Sequence, residues 1–181
     1  MMFVRSLGDG AELRPLEPWQ AEEFFAHIER GREFIAQHIA FADAAKDLDS
    51  ARKLLQRYAD NTAADTARIC GIWLDDKLVG GVMLRQMDVP QGLAEVGCWL
   101  EPSATGKGLI TKASRMIIDW AIRERGMYRV EWRVSSENAP SIAVAQRLGM
   151  VKDGVLRKYF LYRGVRQDLE VWSVLAPEWE N

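Results

Sequence analysis

The junction between residues 94 and 124 constrains the fold more than any other stretch of the chain. An apolar run, Ala94–Leu100, leads into a loop with two glycines, Gly106 and Gly108, and an amphipathic segment, Lys107–Glu124, follows. Glycine lets a backbone approach a ligand closely, and the first N–H groups of a helix have no internal partner and favour an anion. Strand, glycine turn and helix start together indicate a phosphate site, although such loops also contain glycines purely to turn.

Length and composition favour one ordinary globular domain over residues 1–181. Hydrophobic residues make up 48% and charged residues 28% of the chain, and the formal net charge is −2, which does not favour a nucleic-acid partner. The two cysteines, Cys70 and Cys98, lie in apolar runs and read as reduced, buried thiols. With two histidines no multi-histidine metal site is expected, and no metal is predicted. The first seven residues lack a signal-peptide pattern, and no apolar run approaches the ~20 residues of a membrane span, so we expect a cytoplasmic protein without a membrane partner.

Hydrophobic periodicity predicts the order strand, two or three helices, three strands, helix, strand, helix and two strands. Gly31 is expected to end the first helix, and Pro15 suggests that the first strand lies at an edge or contains a bulge. The predicted elements are a strand at Ala11–Leu16, helices at Trp19–Arg30, Arg32–Ala40 and about Ser50–Asp60, strands at Thr66–Leu74, Leu78–Met87 and Leu93–Leu100, a helix at Lys107–Glu124, a strand at Tyr128–Val134, a short helix after Asn138, and strands at Met150–Tyr162 and Val165–Leu175.

The segment from Leu93 to Val134 is a strand–helix–strand unit, so its two strands should be parallel with a right-handed crossover, while the flanking hairpins should be antiparallel. We therefore predict an α/β fold of the α+β type, with a mixed, mostly antiparallel sheet of about seven strands. The central unit is parallel, and helices cover both faces. Ligands of such sheets bind at the carboxyl ends of the strands, where the glycine loop lies.

Three separated segments resemble the GCN5-related N-acetyltransferases (the GNAT superfamily). The segments EVGCWLEPSATGKGLITKA, ENAPSIAVAQRLGM and RQDLEVWSVLAPEW occur in the family's order and are similar to the RimJ/RimL-type subgroup, which acetylates N-termini of ribosomal proteins. The resemblance implies acetyl-CoA as cosubstrate and direct transfer to an amine within a ternary complex. It also suggests a homodimer with the closing strands at the interface.

The resemblance implies that the loop binds the pyrophosphate of acetyl-CoA through its backbone N–H groups. Thr105 stands where the family usually has Gln or Arg, and Ile110 stands where it has a small residue. Cys98 is interpreted as a core residue rather than an acetyl carrier. The implied cosubstrate contacts are Thr105, Gly106, Lys107, Gly108, Leu109 and Ile110 in the loop, Cys98, Trp99 and Leu100 on the preceding strand, and Asn138 and Ser141.

The segment from Asn138 to Ser141 matches the family's Asn-x-x-Ser, which implies that Ser141 donates to the departing CoA thiolate. Both residues also suit a simple helix cap. Phe160 stands where one member type carries a glutamate, so the base is open between Glu95, Asp168, Glu170 and a water chain, with Glu95 preferred.

The acceptor site is expected between the segment Gly31–Asp47 and the hairpin Tyr159–Arg166. Phe34, His38 and Tyr159 are the predicted substrate contacts, with Phe41 and Tyr162 as further pocket candidates, although aromatic residues at helical spacing also suit a core. The predicted acceptor is a protein N-terminus. A small amine or antibiotic is an alternative, and a non-catalytic acyl-CoA-binding module is the alternative from another class.

Overall fold

A single mixed sheet of eight strands organises the computed structural model, which describes residues 4–179. The sheet order is β1-β2-β3-β4-β5-β6-β8-β7, antiparallel throughout except for the parallel pair β5–β6. The strands are β1 (Arg5–Gly8), β2 (Ala11–Pro15), β3 (Arg68–Leu74), β4 (Lys77–Asp88), β5 (Leu93–Leu100), β6 (Arg129–Ser135), β7 (Val151–Tyr162) and β8 (Val165–Leu175). The helices are α1 (Ala21–Ile35), α2 (Leu48–Ala63), α3 (Leu109–Arg123) and α4 (Ala139–Arg147).

The predicted mixed sheet and its central parallel unit are confirmed. The predicted single domain over 1–181 extends three residues before and two residues beyond the described range. No helix within residues 4–179 is long and apolar enough to cross a membrane.

Helices cover the two faces of the sheet and divide the core in two. Successive strand residues point to opposite faces, so β5 places Val96 on the face of α3 and Trp99 on the face of α1 and α2. Trp132 of β6 lies with Val96 on the α3 face, which also receives α4. Glu95 and Glu131 are register partners and point to the opposite face.

The prediction that Gly31 ends a helix is wrong, because α1 continues through it to Ile35. A Cβ atom at Gly31 would lie 3.1 Å from the Cβ of Glu101. The glycine therefore serves a close approach of α1 to the end of β5, and no second helix starts at Arg32.

The first strand of the sheet was not predicted. Residues Arg5–Gly8 form β1 and pair with residues 11–13 of β2, so β2 as a whole is not an edge strand, and Pro15 lies beyond that pairing. Asp9 and Gly10 turn this hairpin with φ of 52° and 75°. The predicted start of α3 at Lys107 is also early, since Gly108 is the residue before its first turn.

Candidate functional site

The two parallel strands at the centre of the sheet separate towards their carboxyl ends. Pairing between β5 and β6 ends at Val96 and Trp132. Beyond that point β5 remains paired with β4 as far as Leu100, and β6 remains paired with β8 as far as Ser135. Within the described chain, the edge of β5 from Gly97 to Leu100 therefore has no strand partner on the β6 side. A free strand edge is a hydrogen-bonding surface for an extended, amide-bearing ligand.

The glycine loop lies directly after this free edge. A short 3-10 turn, Pro102–Ala104, leads to Thr105, whose amide and hydroxyl both donate to the Pro102 carbonyl at 3.2 and 2.8 Å. Gly106 and Gly108 have φ of 77° and 69°, and a Cβ atom at either would meet no atom within 4 Å. This open loop leads directly into the positive end of a 15-residue helix, which suits an anion.

The helix that follows β6 brings a serine hydroxyl close to the point where the strands separate. The Asn138 side chain accepts a hydrogen bond from the Ser141 amide at 3.2 Å and so caps α4. The Ser141 hydroxyl does not cap. Its oxygen instead accepts a hydrogen bond of 3.0 Å from Nε1 of Trp132, the last β6 residue that pairs with β5.

A buried polar chain connects the glycine loop to α1. Glu101, the residue before the 3-10 turn, accepts hydrogen bonds from Ser103 Oγ at 2.5 Å and from Nδ1 of the fully buried His27 at 3.0 Å. Nε2 of His27 then accepts a hydrogen bond from Nε1 of Trp99 at 2.9 Å, which fixes the tautomer with the proton on Nδ1. Arg30 and Lys77 add positive charge at 3.3 and 3.5 Å from the Glu101 carboxylate.

Burial and hydrogen bonds set the pKa values of His27 and Glu101 in this buried polar network. Desolvation lowers the pKa of His27 from 6.5 to about 4, against the opposing hydrogen bond and charge of Glu101. Desolvation alone would raise the pKa of Glu101, but the hydrogen bonds from Ser103 and His27 and the charge of Arg30 outweigh it and hold the pKa below its ordinary value. His27 is therefore neutral and Glu101 ionised at neutral pH.

Acid should weaken the fold through His27. The unfolded chain binds a proton on this ring below about pH 6.5, whereas the folded chain does so only near pH 4, so the group's contribution to stability falls as the pH drops through that window. The expected slope is up to about 1.4 kcal/mol per pH unit. Urea unfolding at pH 7, 6 and 5 measures it, and the variant His27→Gln should lose this part of the slope. Equal slopes in the two proteins would contradict the assignment.

The three carboxylates considered as a base occupy different surroundings. Asp168 accepts a hydrogen bond of 2.8 Å from the Lys158 amide at a bulge of β7, and Glu170 accepts one of 2.8 Å from Trp172 Nε1 on the α3 face. Both carboxylates thus have structural partners. Glu95 lies on the other face, 3.4 Å from Arg85, one pair before the strands separate.

Cys98 lies on the free part of β5 and is partly buried. Desolvation raises the pKa of its thiol to about 12. Because only the thiolate is a good nucleophile, this cysteine is unsuited to carry an acyl group at neutral pH.

The residues predicted to contact the acceptor lie on α1, in the segment after α1 and on β7. Phe34 lines a cavity of about 460 Å³ between α1 and Pro102, together with Arg30 and Gln37. His38 is half-buried just after α1, and Tyr159 is exposed on β7. Tyr159 is not among the residues that line this cavity.

The other two aromatic candidates hold the segment after α1 in place. Tyr162 donates to the carbonyls of Ala36 and Ile39 at 2.6 and 3.1 Å and so joins the β7–β8 hairpin to this segment. Phe41 packs on Trp99 with a centroid distance of 4.6 Å.

Sequence reasoning missed Trp132, His27 and Glu101. Trp132 alternates with Val130 and Val134 on the buried face of β6, but its partner nine residues later depends on how α4 docks. His27 lies 74 residues from Glu101, and nothing in the local pattern of α1 marks it.

Comparison with known proteins gives a consistent result. A family model described as acetyltransferase (GNAT) domain matches residues 11–151. Probable N-acetyltransferase YjcK of Bacillus subtilis (strain 168) is 32% identical over 175 residues, which cover 93% of this chain and 96% of that protein. Putative ribosomal N-acetyltransferase YdaF of the same organism is 29% identical over 185 residues, 99% of both chains.

A solved structure of the RimL ribosomal L7/L12 alpha-N-protein acetyltransferase in complex with coenzyme A superimposes with a TM-score of 0.90. It is 16% identical, and the match covers 95% of this chain and 97% of that one, so it shows the shared fold. The predicted resemblance is confirmed, and the relatives named for ribosomal acetylation agree with the RimJ/RimL-type subgroup. The chain belongs to the GNAT acetyltransferase family.

Proposed function

We propose that this acetyltransferase moves an acetyl group from acetyl-CoA directly to a primary amine, most readily the N-terminus of a protein. One observation carries the proposal: the gap between β5 and β6 has an open glycine loop at the end of one wall and the Ser141 hydroxyl beside its apex. A cosubstrate in this gap would meet three features one after another: an anion site for its pyrophosphate, a strand edge for its pantetheine arm and a hydroxyl donor for its sulfur.

The loop residues Thr105, Gly106, Lys107 and Gly108, with Leu109 and Ile110 of α3, would bind the pyrophosphate. All four loop residues are exposed, whereas Leu109 is buried and Ile110 packs partly on the core. The side chains that differ from the usual family pattern thus leave the backbone donors available. Cys98, Trp99 and Leu100 would contribute their backbone to the pantetheine arm, with Asn138 on the other side of the gap.

The chemistry requires a neutral amine and a stabilised thiolate. Ser141 lies on the α3 face and would donate to the leaving sulfur. Glu95 lies on the opposite face and would take up the proton of the incoming amine, through water where the distance requires it. The hydrogen-bond donor Ser141 and the base Glu95 would then approach the gap from opposite faces of the sheet.

The proposed acceptor class follows the relatives. YdaF is named a putative ribosomal N-acetyltransferase and the superimposed RimL acts on the alpha-N position of ribosomal L7/L12. His38 after α1 and Tyr159 on β7 would contact the acceptor, and Phe34 would contact a longer peptide beside Pro102. A small amine is the second candidate, since spermidine N(1)-acetyltransferase of Escherichia coli (strain K12) is 28% identical over half of this chain.

We further propose that two copies associate through β7. This strand forms one edge of the sheet and exposes a row of apolar side chains, namely Val151, Val155, Leu156, Tyr159 and Leu161. An unpaired apolar edge favours pairing with another strand. Sedimentation of the wild type and of Leu161→Lys should give a dimer and a monomer, and a monomeric wild type would contradict the proposal.

The function is tested with purified protein, acetyl-CoA and a panel of amines. The panel contains peptides that begin as ribosomal proteins do, the same peptides with blocked α-amines, spermidine and an aminoglycoside. We expect release of CoA thiol with the free peptides alone, and an acetyl group on the α-amine by mass spectrometry. Release of CoA thiol with the small amines alone would show that the acceptor is a small amine and not a protein N-terminus. Binding of acetyl-CoA without release of thiol for any amine of the panel would favour the non-catalytic module.

Substitution of Gly108 should weaken acetyl-CoA binding. Valine at φ 69° costs about 1–2 kcal/mol of backbone strain and re-aims the first N–H groups of α3, so we expect the Kd to rise about tenfold. Gly126 beyond the other end of α3 has φ of 71° and equally open surroundings. Calorimetry should therefore find comparable stability loss in Gly108→Val and Gly126→Val but weaker binding only in the former. Equal affinities would exclude the loop as the anion site.

A further inference from the structure

We infer that Trp132 is a positioning residue for acetyl transfer, because its indole N–H holds the Ser141 oxygen and leaves the serine hydrogen free for the leaving sulfur. The inference rests on the proposed role of Ser141 and adds the residue that gives this hydroxyl its direction.

The contact joins two elements that meet at the apex of the gap. Trp132 Nε1 lies 3.0 Å from Ser141 Oγ, and Ser141 is the third residue of α4. Its own amide already donates to Asn138, which fixes the backbone of this turn. Two independent hydrogen bonds therefore set the position of the hydroxyl oxygen.

Trp132 itself is rigidly held. The residue is 2% exposed and packs in the core below α3. On β6 it pairs with Val96 of β5 on one side and with Trp172 of β8 on the other. The Val96–Trp132 pair is the last one before the strands separate. The indole is therefore held at the point of separation, and its hydrogen bond holds Ser141 there too.

The chemistry of the two groups decides the direction of the serine hydrogen. An indole N–H is a donor only, so Ser141 Oγ must be the acceptor in this bond. Within the described chain no protein group accepts the Ser141 hydrogen, which leaves it available to a ligand. Donation to an oxygen also polarises its O–H bond and strengthens the hydrogen bond that the hydroxyl gives.

The transfer step balances with Ser141 as a hydrogen-bond donor. The amine nitrogen forms a bond to the thioester carbon, and the carbon–sulfur bond breaks with its electron pair on sulfur. The amine loses one proton to Glu95, directly or through water, and the CoA thiolate gains one from solvent. The Ser141 hydroxyl stabilises the sulfur while its negative charge develops, and Trp132 holds it in that orientation.

The test is a double-mutant cycle with a matched control. Trp132→Phe keeps the ring and removes the N–H donor, and we expect kcat to fall about tenfold while the Kd for acetyl-CoA stays within about twofold. In the Ser141→Ala background the same change should lower kcat no further. Trp73→Phe removes another buried indole donor, 3.1 Å from Glu23 on the far half of the sheet, and should leave kcat unchanged.

Each outcome is decisive. An unaffected kcat in Trp132→Phe beside an impaired Ser141→Ala overturns this inference alone, and so does an effect of equal size in both backgrounds. A fully active Ser141→Ala overturns the proposed role of Ser141 and this inference with it. Should Trp132→Phe fail to fold, the seven indole resonances of ¹⁵N-tryptophan protein report the contact. Ser141→Ala should then shift one of them, and no shift overturns the hydrogen bond.

Discussion

Replacement of Ser141 by alanine should lower kcat by about 10²-fold, the typical contribution of a hydrogen-bond donor positioned at a developing negative charge. The hydroxyl is held 3.0 Å from Trp132 and not in the cap of α4, so its loss removes a donor without uncapping the helix. We expect the Kd for acetyl-CoA and the midpoint of thermal unfolding to change little. Steady-state release of CoA thiol and calorimetry measure the two quantities separately.

Ser114 provides the control for this experiment. It is a buried serine on α3, in the same half of the core, and Ser114→Ala should keep full activity. A fully active Ser141→Ala would exclude the donor role, and a variant that loses acetyl-CoA binding would make Ser141 a binding residue instead.

Replacement of Glu101 by alanine should destabilise the fold and loosen the glycine loop together. The carboxylate is the common acceptor for His27 and Ser103 and is neutralised by Arg30, so its removal leaves a buried N–H without a partner. We expect a loss of about 3 kcal/mol in the free energy of unfolding. The Pro102–Ala104 turn also loses its attachment to α1, so the Kd for acetyl-CoA should rise.

Glu101→Gln separates the charge from the hydrogen bond. The amide oxygen keeps an acceptor for His27, so this variant should lose clearly less stability than Glu101→Ala in urea unfolding. An equal free energy of unfolding for Glu101→Ala and the wild type would show that the hydrogen bonds of Glu101 to His27 and Ser103 do not stabilise the fold.

The order of the elements was predictable because most of them carry their own periodicity and turn residues. The unit from β5 to β6 shows this best, since Gly108 and Gly126 bound α3 and the strict alternation of β6 fixes its faces. The failures have a physical cause in tertiary contact. Gly31 is a helix breaker by propensity, but it remains helical because the end of β5 packs against it.

The candidate site was predictable to the same extent. The loop, Asn138 and Ser141 are local motifs and could be matched, whereas the partner of each hydroxyl or carboxylate depends on docking. The sequence left Asp168 open beside the preferred Glu95, and the fold shows that Asp168 holds a bulge of β7 while Glu95 lies beside the gap. The His27–Glu101 contact joins residues 74 positions apart and has no sequence signature.

The most direct measurement is a crystal structure of the protein with coenzyme A. We expect the pyrophosphate on the amides at the start of α3, the pantetheine arm along Gly97–Leu100 of β5, and the sulfur within hydrogen-bond distance of Ser141 Oγ. Coenzyme A bound in the cavity between α1 and Pro102, with the gap between β5 and β6 empty, would contradict it.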